Sequence, residues 1–92
     1  MKRIRLSEFG NSLSTRELGK EVSKQVDFSI PGEIILDFQD VRMINSSFAD
    51  ELIGKNAKEL GFDTFKRKVK IQNATDNIKL VIKKAMMDRL LG

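Results

Sequence analysis

The 92-residue chain contains no cysteine, histidine, tryptophan or tyrosine, and these absences exclude several kinds of chemistry. Without cysteine there is no disulfide, no thiolate nucleophile and no cysteine-based zinc site. Without histidine the chain lacks the usual general base at neutral pH and the commonest metal ligand. A glycine-rich phosphate-binding loop is also missing. We therefore expect a protein that catalyses no reaction and holds neither a cofactor nor a metal ion.

Long apolar runs are missing as well. No stretch approaches the roughly 18 apolar residues of a membrane span, and no apolar core of a secretory signal follows the basic N-terminus. We expect a cytoplasmic protein that makes no membrane contact. Hydrophobic side chains make up 40% of the chain, which is enough for one core. The length predicts a single domain over residues 1–92.

Basic side chains exceed acidic ones, and the whole excess of +4 lies in the second half of the chain. Residues 1–46 carry seven of each sign, whereas residues 47–92 carry ten basic and six acidic side chains. A basic surface attracts nucleic acid or an acidic protein, and it also keeps small proteins in solution. Near the basic stretch 66–70, Phe65 is the one aromatic side chain for base stacking. Nucleic acid is therefore the less favoured partner.

Hydrophobic spacing predicts three strands that alternate with three helices. The predicted strands are residues 2–7, 34–38 and 68–72, and the predicted helices are residues 14–27, 47–60 and 76–90. The second strand is apolar almost throughout, which is typical of a strand buried on both faces in a parallel sheet. This order predicts an α/β fold in which a three- or four-stranded, mostly parallel or mixed sheet packs against helices.

Capping signals mark the ends of the predicted helices. Ser14 with Glu17, and Ser47 with Asp50, have the spacing of capping boxes. Gly61 is placed to end the second helix. The last helix has a wider apolar stripe than one contact face needs. That stripe either covers the protein's own core alone or also docks on a partner or a second copy.

Residues 34–55, IILDFQDVRMINSSFADELIGK, resemble the central motif of STAS domains, the fold of anti-sigma-factor antagonists. They are more closely similar to a bacterial family of small STAS-like proteins of unknown function. Its pattern has an apolar strand with Leu-Asp-Phe, a spacer, the helix start Ser-Ser-Phe-Ala-Asp-Glu-Leu and a basic final strand. Residues 9–20, FGNSLSTRELGK, fit the same family. The resemblance covers nearly the whole chain and implies a STAS-like domain.

The resemblance also implies a site of phosphorylation. In the antagonists, a serine that follows an aspartate before the second helix is phosphorylated by an ATPase-type kinase, which is also the anti-sigma factor. By position that serine is Ser46, with Ser47 beside it. Asn45 stands where the aspartate stands, without its charge. Phe48 stands where a glycine stands, and its side chain either blocks close approach of a partner's backbone or points into the core.

The predicted function is a non-catalytic regulatory module that binds a protein partner, with an ATPase-type anti-sigma kinase as the implied partner. The candidate contact residues are Asp40, Asn45, Ser46, Ser47, Asp50 and Glu51. A helix N-terminus tolerates a phosphate, although the two carboxylates in the first turn are expected to oppose it.

Three alternatives remain open from the sequence. The serines could act as helix caps alone, and the chain could be a nucleic-acid-associated accessory protein or a homo-oligomeric structural protein. Asp37, Asp40 and Asp50 are interpreted as turn and capping residues and not as a magnesium site.

Overall fold

The computed structural model describes residues 1–92, in which short strands alternate with helices. The strands are β1 Lys2–Arg5, β2 Ser12–Leu13, β3 Ile34–Asp37, β4 Met43–Ile44 and β5 Val69–Gln72. The α-helices are α1 Arg16–Val26, α2 Ser46–Ala49, α3 Lys55–Leu60, α4 Phe62–Lys68 and α5 Asp76–Leu91. A 3-10 turn, Leu6–Phe9, follows β1, and a π-helical segment, Asp50–Gly54, joins α2 to α3.

The main sheet has three parallel strands in the order β1-β3-β5. Ile34 in β3 pairs with Lys2 on one side and with Val69 on the other. All four residues of β3 are buried, as its apolar sequence predicts for a central strand covered on both faces. The predicted α/β fold with a mostly parallel sheet packed against helices is confirmed.

A second, two-stranded parallel sheet pairs β2 with β4, and the sequence did not predict either strand. Two residues are too few for an alternating pattern to be visible. The predicted first strand, residues 2–7, is also too long, because the chain turns at the fully buried Leu6. The small sheet brings the segment after β1 beside the segment after β3, and the Asn45 N–H donates to the Leu13 carbonyl at 3.2 Å.

The helix at residues 62–68 was not predicted, whereas the stop at Gly61 is confirmed, since Gly61 has φ of 90° and separates α3 from α4. Phe65 in α4 is buried, with its ring centroid 5.9 Å from that of Phe28. The basic residues that follow it lie in the last turn of α4, where cations favourably face the helix dipole. The predicted last helix, 76–90, is confirmed as α5.

A continuous helix of residues 46–60, here called the serine helix, consists of α2, the π-helical segment and α3. It lies between α1 and α5, and a glycine allows each close approach. A Cβ on Gly19 of α1 would lie 2.8 Å from the Glu51 Cβ, and a Cβ on Gly54 would lie 2.9 Å from the Ala85 carbonyl oxygen of α5. The four residues 51–54 are consequently all buried. No helix of the protein combines the length and the apolar character that crossing a bilayer requires.

Candidate functional site

Asn45 caps the serine helix. Its Oδ1 accepts the Phe48 N–H at 2.9 Å, and its Nδ2 donates to the Ser14 carbonyl at 2.6 Å. The helix therefore begins at Ser46, and the predicted capping box of Ser47 with Asp50 is wrong. The predicted Ser14 cap of α1 is also wrong, since the Thr15 side chain accepts the first-turn N–H there. In both cases a neighbouring side chain with the same capping chemistry takes the position.

The two candidate serines occupy the first two positions of the helix. Ser46 is exposed and Ser47 is half-buried. Neither hydroxyl makes a hydrogen bond within the protein, and neither backbone amide has a protein acceptor. Since Asn45 makes the capping bond, capping does not explain the serines.

Phe48 points into the core and is 0% exposed. Of the two alternatives for this side chain, the structure shows the one in which the ring points into the core, and the ring does not block a partner at the helix N-terminus. α1 packs closely on the helix start, since a Cβ added to Gly19 would lie 3.1 Å from the Phe48 carbonyl oxygen. The surface at residues 45–47 is left accessible on its outer side.

A groove of about 290 Å³ opens beside the two serines, and it is here called the serine groove. It is lined by Arg16, Ser46, Ser47, Asp50, Val81, Lys84, Ala85 and Asp88. α1 and α5 thus each contribute a cation to a groove that also holds two carboxylates. Lys84 lies 3.3 Å from Asp88 at exposed positions, so solvent screens this pair strongly.

Asp50 is the centre of an ion-pair network that joins three helices. Arg89 of α5 donates from Nε and Nη2 to the two Asp50 carboxylate oxygens, both at 2.7 Å. Arg16 of α1 donates to Asp50 Oδ2 at 3.0 Å. The hydrogen bond from Arg89 is the main cause that lowers the Asp50 pKa to about 2, and Arg16 lowers it further. Asp50 therefore stays ionised at neutral pH.

Glu51 is buried and belongs to the same network. Arg16 donates to Glu51 Oε1 at 3.0 Å, and the Lys55 ammonium lies 3.6 Å from Oε2. The sequence predicts that Asp50 and Glu51 oppose a phosphate, but this prediction assumes that neither carboxylate has a cationic partner. Because Arg16, Lys55 and Arg89 face them, their charge is largely compensated.

Asp50→Asn is expected to lower the free energy of unfolding at neutral pH by about 1–2 kcal/mol, because a partly buried ion pair is weakened. The Asp50 pKa falls from the ordinary 3.8 to about 2 on folding. Its contribution is therefore complete above pH 3.8 and is lost as the pH falls through about 2. Urea unfolding followed by circular dichroism across this range should show a smaller acid-dependent loss for the variant than for wild type.

Asp88→Asn is the matched control for this experiment, because its pair with Lys84 is exposed. We expect it to change the free energy of unfolding by less than about 0.5 kcal/mol. An Asp50→Asn protein with the wild-type acid profile would contradict the network.

The comparison with protein-family models identifies the family of this chain. A model described as a STAS-like domain of unknown function (DUF4325) matches residues 18–79. The chain belongs to this STAS-like family. The match includes β3, the serine helix and β5, and it ends within the first turn of α5. Searches of curated proteins and of solved structures found no match.

The other two aspartates considered in the sequence analysis, Asp37 and Asp40, do not line the serine groove. Asp37, at the end of β3, accepts from Arg3 of β1 at 2.8 Å and from Asn73, just after β5, at 2.9 Å. The bond from Asn73 is the main cause that lowers the Asp37 pKa. Asp40 is exposed in a turn with φ of 67°. No group of three or more metal-ligating side chains forms anywhere in the protein.

Sequence reasoning missed the cations of the site, Arg16, Lys84 and Arg89. Each lies on a different helix from the serines, so local spacing gave no reason to connect them. One signal was available, because Val81, Lys84 and Asp88 follow each other at helical spacing on one face of α5. That pattern defines a face but does not show which element it meets.

Proposed function

We propose that the STAS-like domain is a regulatory module that binds a protein partner at the serine groove, and that phosphorylation of Ser46 or Ser47 switches this binding. Membership of the STAS-like family supports a regulatory role. The observation that carries the finer proposal is the position of Ser46. It is exposed, its hydroxyl makes no hydrogen bond within the protein, and it is the first residue of the serine helix, beside Arg16 and Lys84.

The local chemistry favours a phosphate at this position. A kinase would join the serine Oγ to the γ-phosphorus of ATP, release ADP and take up the hydroxyl proton. The phosphate adds a charge of about −1.5 to −2 and three acceptor oxygens. The unbonded amides of Ser46 and Ser47 and the positive end of the helix dipole suit such an acceptor. Arg16 and Lys84 line the same groove and supply positive charge.

The switch would act on the surface and leave the helix intact. A phosphate would compete with Asp88 for Lys84 and with Asp50 for Arg16, while Arg89 would keep Asp50 paired. The groove would thus become strongly negative, which changes which partner surface it fits. Asn45 would continue to cap the helix in both states.

The proposed partner surface consists of the accessible candidates Asp40, Asn45, Ser46, Ser47 and Asp50. Glu51 is buried beneath them and supports Arg16 instead of meeting the partner. An ATPase-type kinase of the anti-sigma class is the proposed partner, which would place the protein in the cytoplasm with its ATP. We propose no catalysis by the chain itself, because its groove offers no histidine or cysteine.

The positions of Phe65 and of two lysines argue against the nucleic-acid alternative. Phe65 is buried against Phe28 and is not available for base stacking. Lys68 donates to the Ile30 carbonyl and Lys70 to the Lys66 carbonyl, so part of the basic stretch has structural contacts.

Phosphate incorporation tests the proposal. We expect purified protein, incubated with lysate of the source cells and γ-labelled ATP, to take up phosphate on Ser46 or Ser47, as mapped by mass spectrometry. Ser46→Ala/Ser47→Ala should lose at least about nine-tenths of the label, since the acceptor hydroxyls are gone. Thr64→Ala removes another exposed hydroxyl, on α4, and should keep it. Equal labelling of the double variant and wild type, or no labelling of either, would argue against the switch.

A further inference from the structure

A second groove lies on the opposite side of α5 from the serine groove, and it is here called the lysine groove. It has a volume of about 400 Å³ and runs between α4 and α5 over Ile71 of β5. Six of its nine lining residues are apolar, and the other three are lysines. No residue lines both grooves. Ligand sites of proteins are typically apolar clefts of this size with a few polar groups.

The charge of the lysine groove has one sign. Lys66, Lys79 and Lys83 line it, and none of them forms an ion pair within the protein. No carboxylate lines the groove. An anionic group is therefore the complement that the groove itself lacks.

α5 contributes its two lysines before most of its apolar lining, with Ile82 between the lysines, and the third lysine, Lys66, belongs to α4. Lys79 and Lys83 lie in the first half of the helix, whereas Met86, Met87 and Leu90 lie in the second. The rise from Lys79 to Leu90 is about 16 Å, and an extended chain of twelve carbons is about 14 Å long, so such a chain fits within this span. Methionine side chains adapt to flexible apolar chains. Met87 and Leu90 remain 47% and 62% exposed, so the apolar end is not covered by the protein itself.

The geometry points to a long-chain carboxylate, a single acyl anion, as the ligand of the lysine groove, with its head at Lys79 and Lys83 and its chain along Met86, Met87 and Leu90. A second copy of the chain fits less well, because an isologous contact pairs the same face of both copies, and the lysine groove holds no carboxylate to pair with its lysines. The proposal is independent of the serines and of the partner at the serine groove.

A displacement titration tests the proposal. The probe is a dansyl-labelled undecanoic acid, and the chain has no tryptophan or tyrosine to add its own fluorescence. Monomeric dodecanoate should displace the probe, and octanoate should do so at least about tenfold more weakly because it buries fewer methylenes. Dodecyltrimethylammonium, with the same chain and the opposite charge, should be at least about tenfold weaker than dodecanoate.

Matched variants locate the site. Lys79→Glu/Lys83→Glu and Met87→Gln/Leu90→Gln should each weaken dodecanoate binding at least about tenfold, since one removes the head contact and the other the chain contact. Lys20→Glu/Lys24→Glu makes the same charge change at the same spacing on exposed positions of α1 and should leave binding within about twofold.

Several results would overturn the proposal. The first is that dodecanoate fails to displace the probe, or that dodecanoate and dodecyltrimethylammonium displace it equally. The second is binding only to phosphatidylglycerol vesicles, which would assign the surface to a membrane. The third is a dimer in sedimentation that Met87→Gln/Leu90→Gln dissociates while dodecanoate fails to bind, which would assign the groove to a second copy.

Discussion

Phe48→Ala is expected to lower the free energy of unfolding by about 3–5 kcal/mol, which is at the upper end of what one substitution does to a folded domain. The ring is fully buried at the start of the serine helix. Its removal loses the transfer free energy of a phenyl group and leaves a cavity that the packed helices close only in part. Domains of this size have only about 5–15 kcal/mol in total, so the variant should be close to unfolding. Urea unfolding followed by circular dichroism measures the change.

Two other substitutions bracket this result. Phe48→Leu keeps most of the volume and should cost about 1–2 kcal/mol. Leu80→Ala removes an apolar side chain that is 64% exposed, and its effect should stay within about 0.5 kcal/mol. If Phe48→Ala behaved like Leu80→Ala, the ring would not be part of the core. The other alternative from the sequence, in which the ring blocks a partner at the helix N-terminus, would then hold.

Gly54→Ala is expected to destabilise the protein by about 1–3 kcal/mol, although alanine is normally about 1 kcal/mol better than glycine in a helix. The new Cβ would lie 2.9 Å from the Ala85 carbonyl oxygen, 3.0 Å from Asp50 Oδ1 and 3.1 Å from Arg89 Cγ. The serine helix and α5 would have to separate, which would also disturb the bidentate Asp50–Arg89 pair.

Lys58→Ala gives the matched control for Gly54→Ala, since Lys58 is exposed on α3 and the change also yields an alanine in the same helix. Its effect should stay within about 0.5 kcal/mol. A Gly54→Ala protein that is more stable than wild type would show that the gain in helix propensity exceeds the cost of the contact with Ala85. It would also show that α5 does not pack tightly against the serine helix at this position.

The fold could be predicted from the sequence where an element carries a clear local signal. β3 was recognised by its continuous apolar run, which is typical of a buried central strand. α5 was recognised because it is a sixteen-residue helix with a capping signal at its start. β2 and β4 were missed because two-residue strands have no period. α4 was missed because it is short and has a single buried residue, Phe65, so its sequence shows no apolar spacing that would indicate a helix.

The site could be predicted only in part. The position of Ser46 and Ser47 at a helix start followed from the motif, but the choice of cap did not. The side chains of Asn45, Ser46 and Ser47 can all cap a helix. Asn45 is the cap in the structure, and its amide also donates to the Ser14 carbonyl, which the small sheet brings close. The pairing of Asp50 with Arg89 joins residues 39 positions apart, and no local pattern specifies such a contact.

The central claim is that the serine groove is a partner surface controlled by charge at Ser46 and Ser47. Its most direct test is a quantitative pull-down from source-cell lysate with wild type, Ser46→Asp/Ser47→Asp and the control Thr64→Asp, read by mass spectrometry. We expect wild type and Thr64→Asp to capture an ATPase or another signalling protein equally, and its recovery with the double variant to differ from theirs by at least about tenfold. Equal recovery of every captured protein from all three forms would contradict the claim.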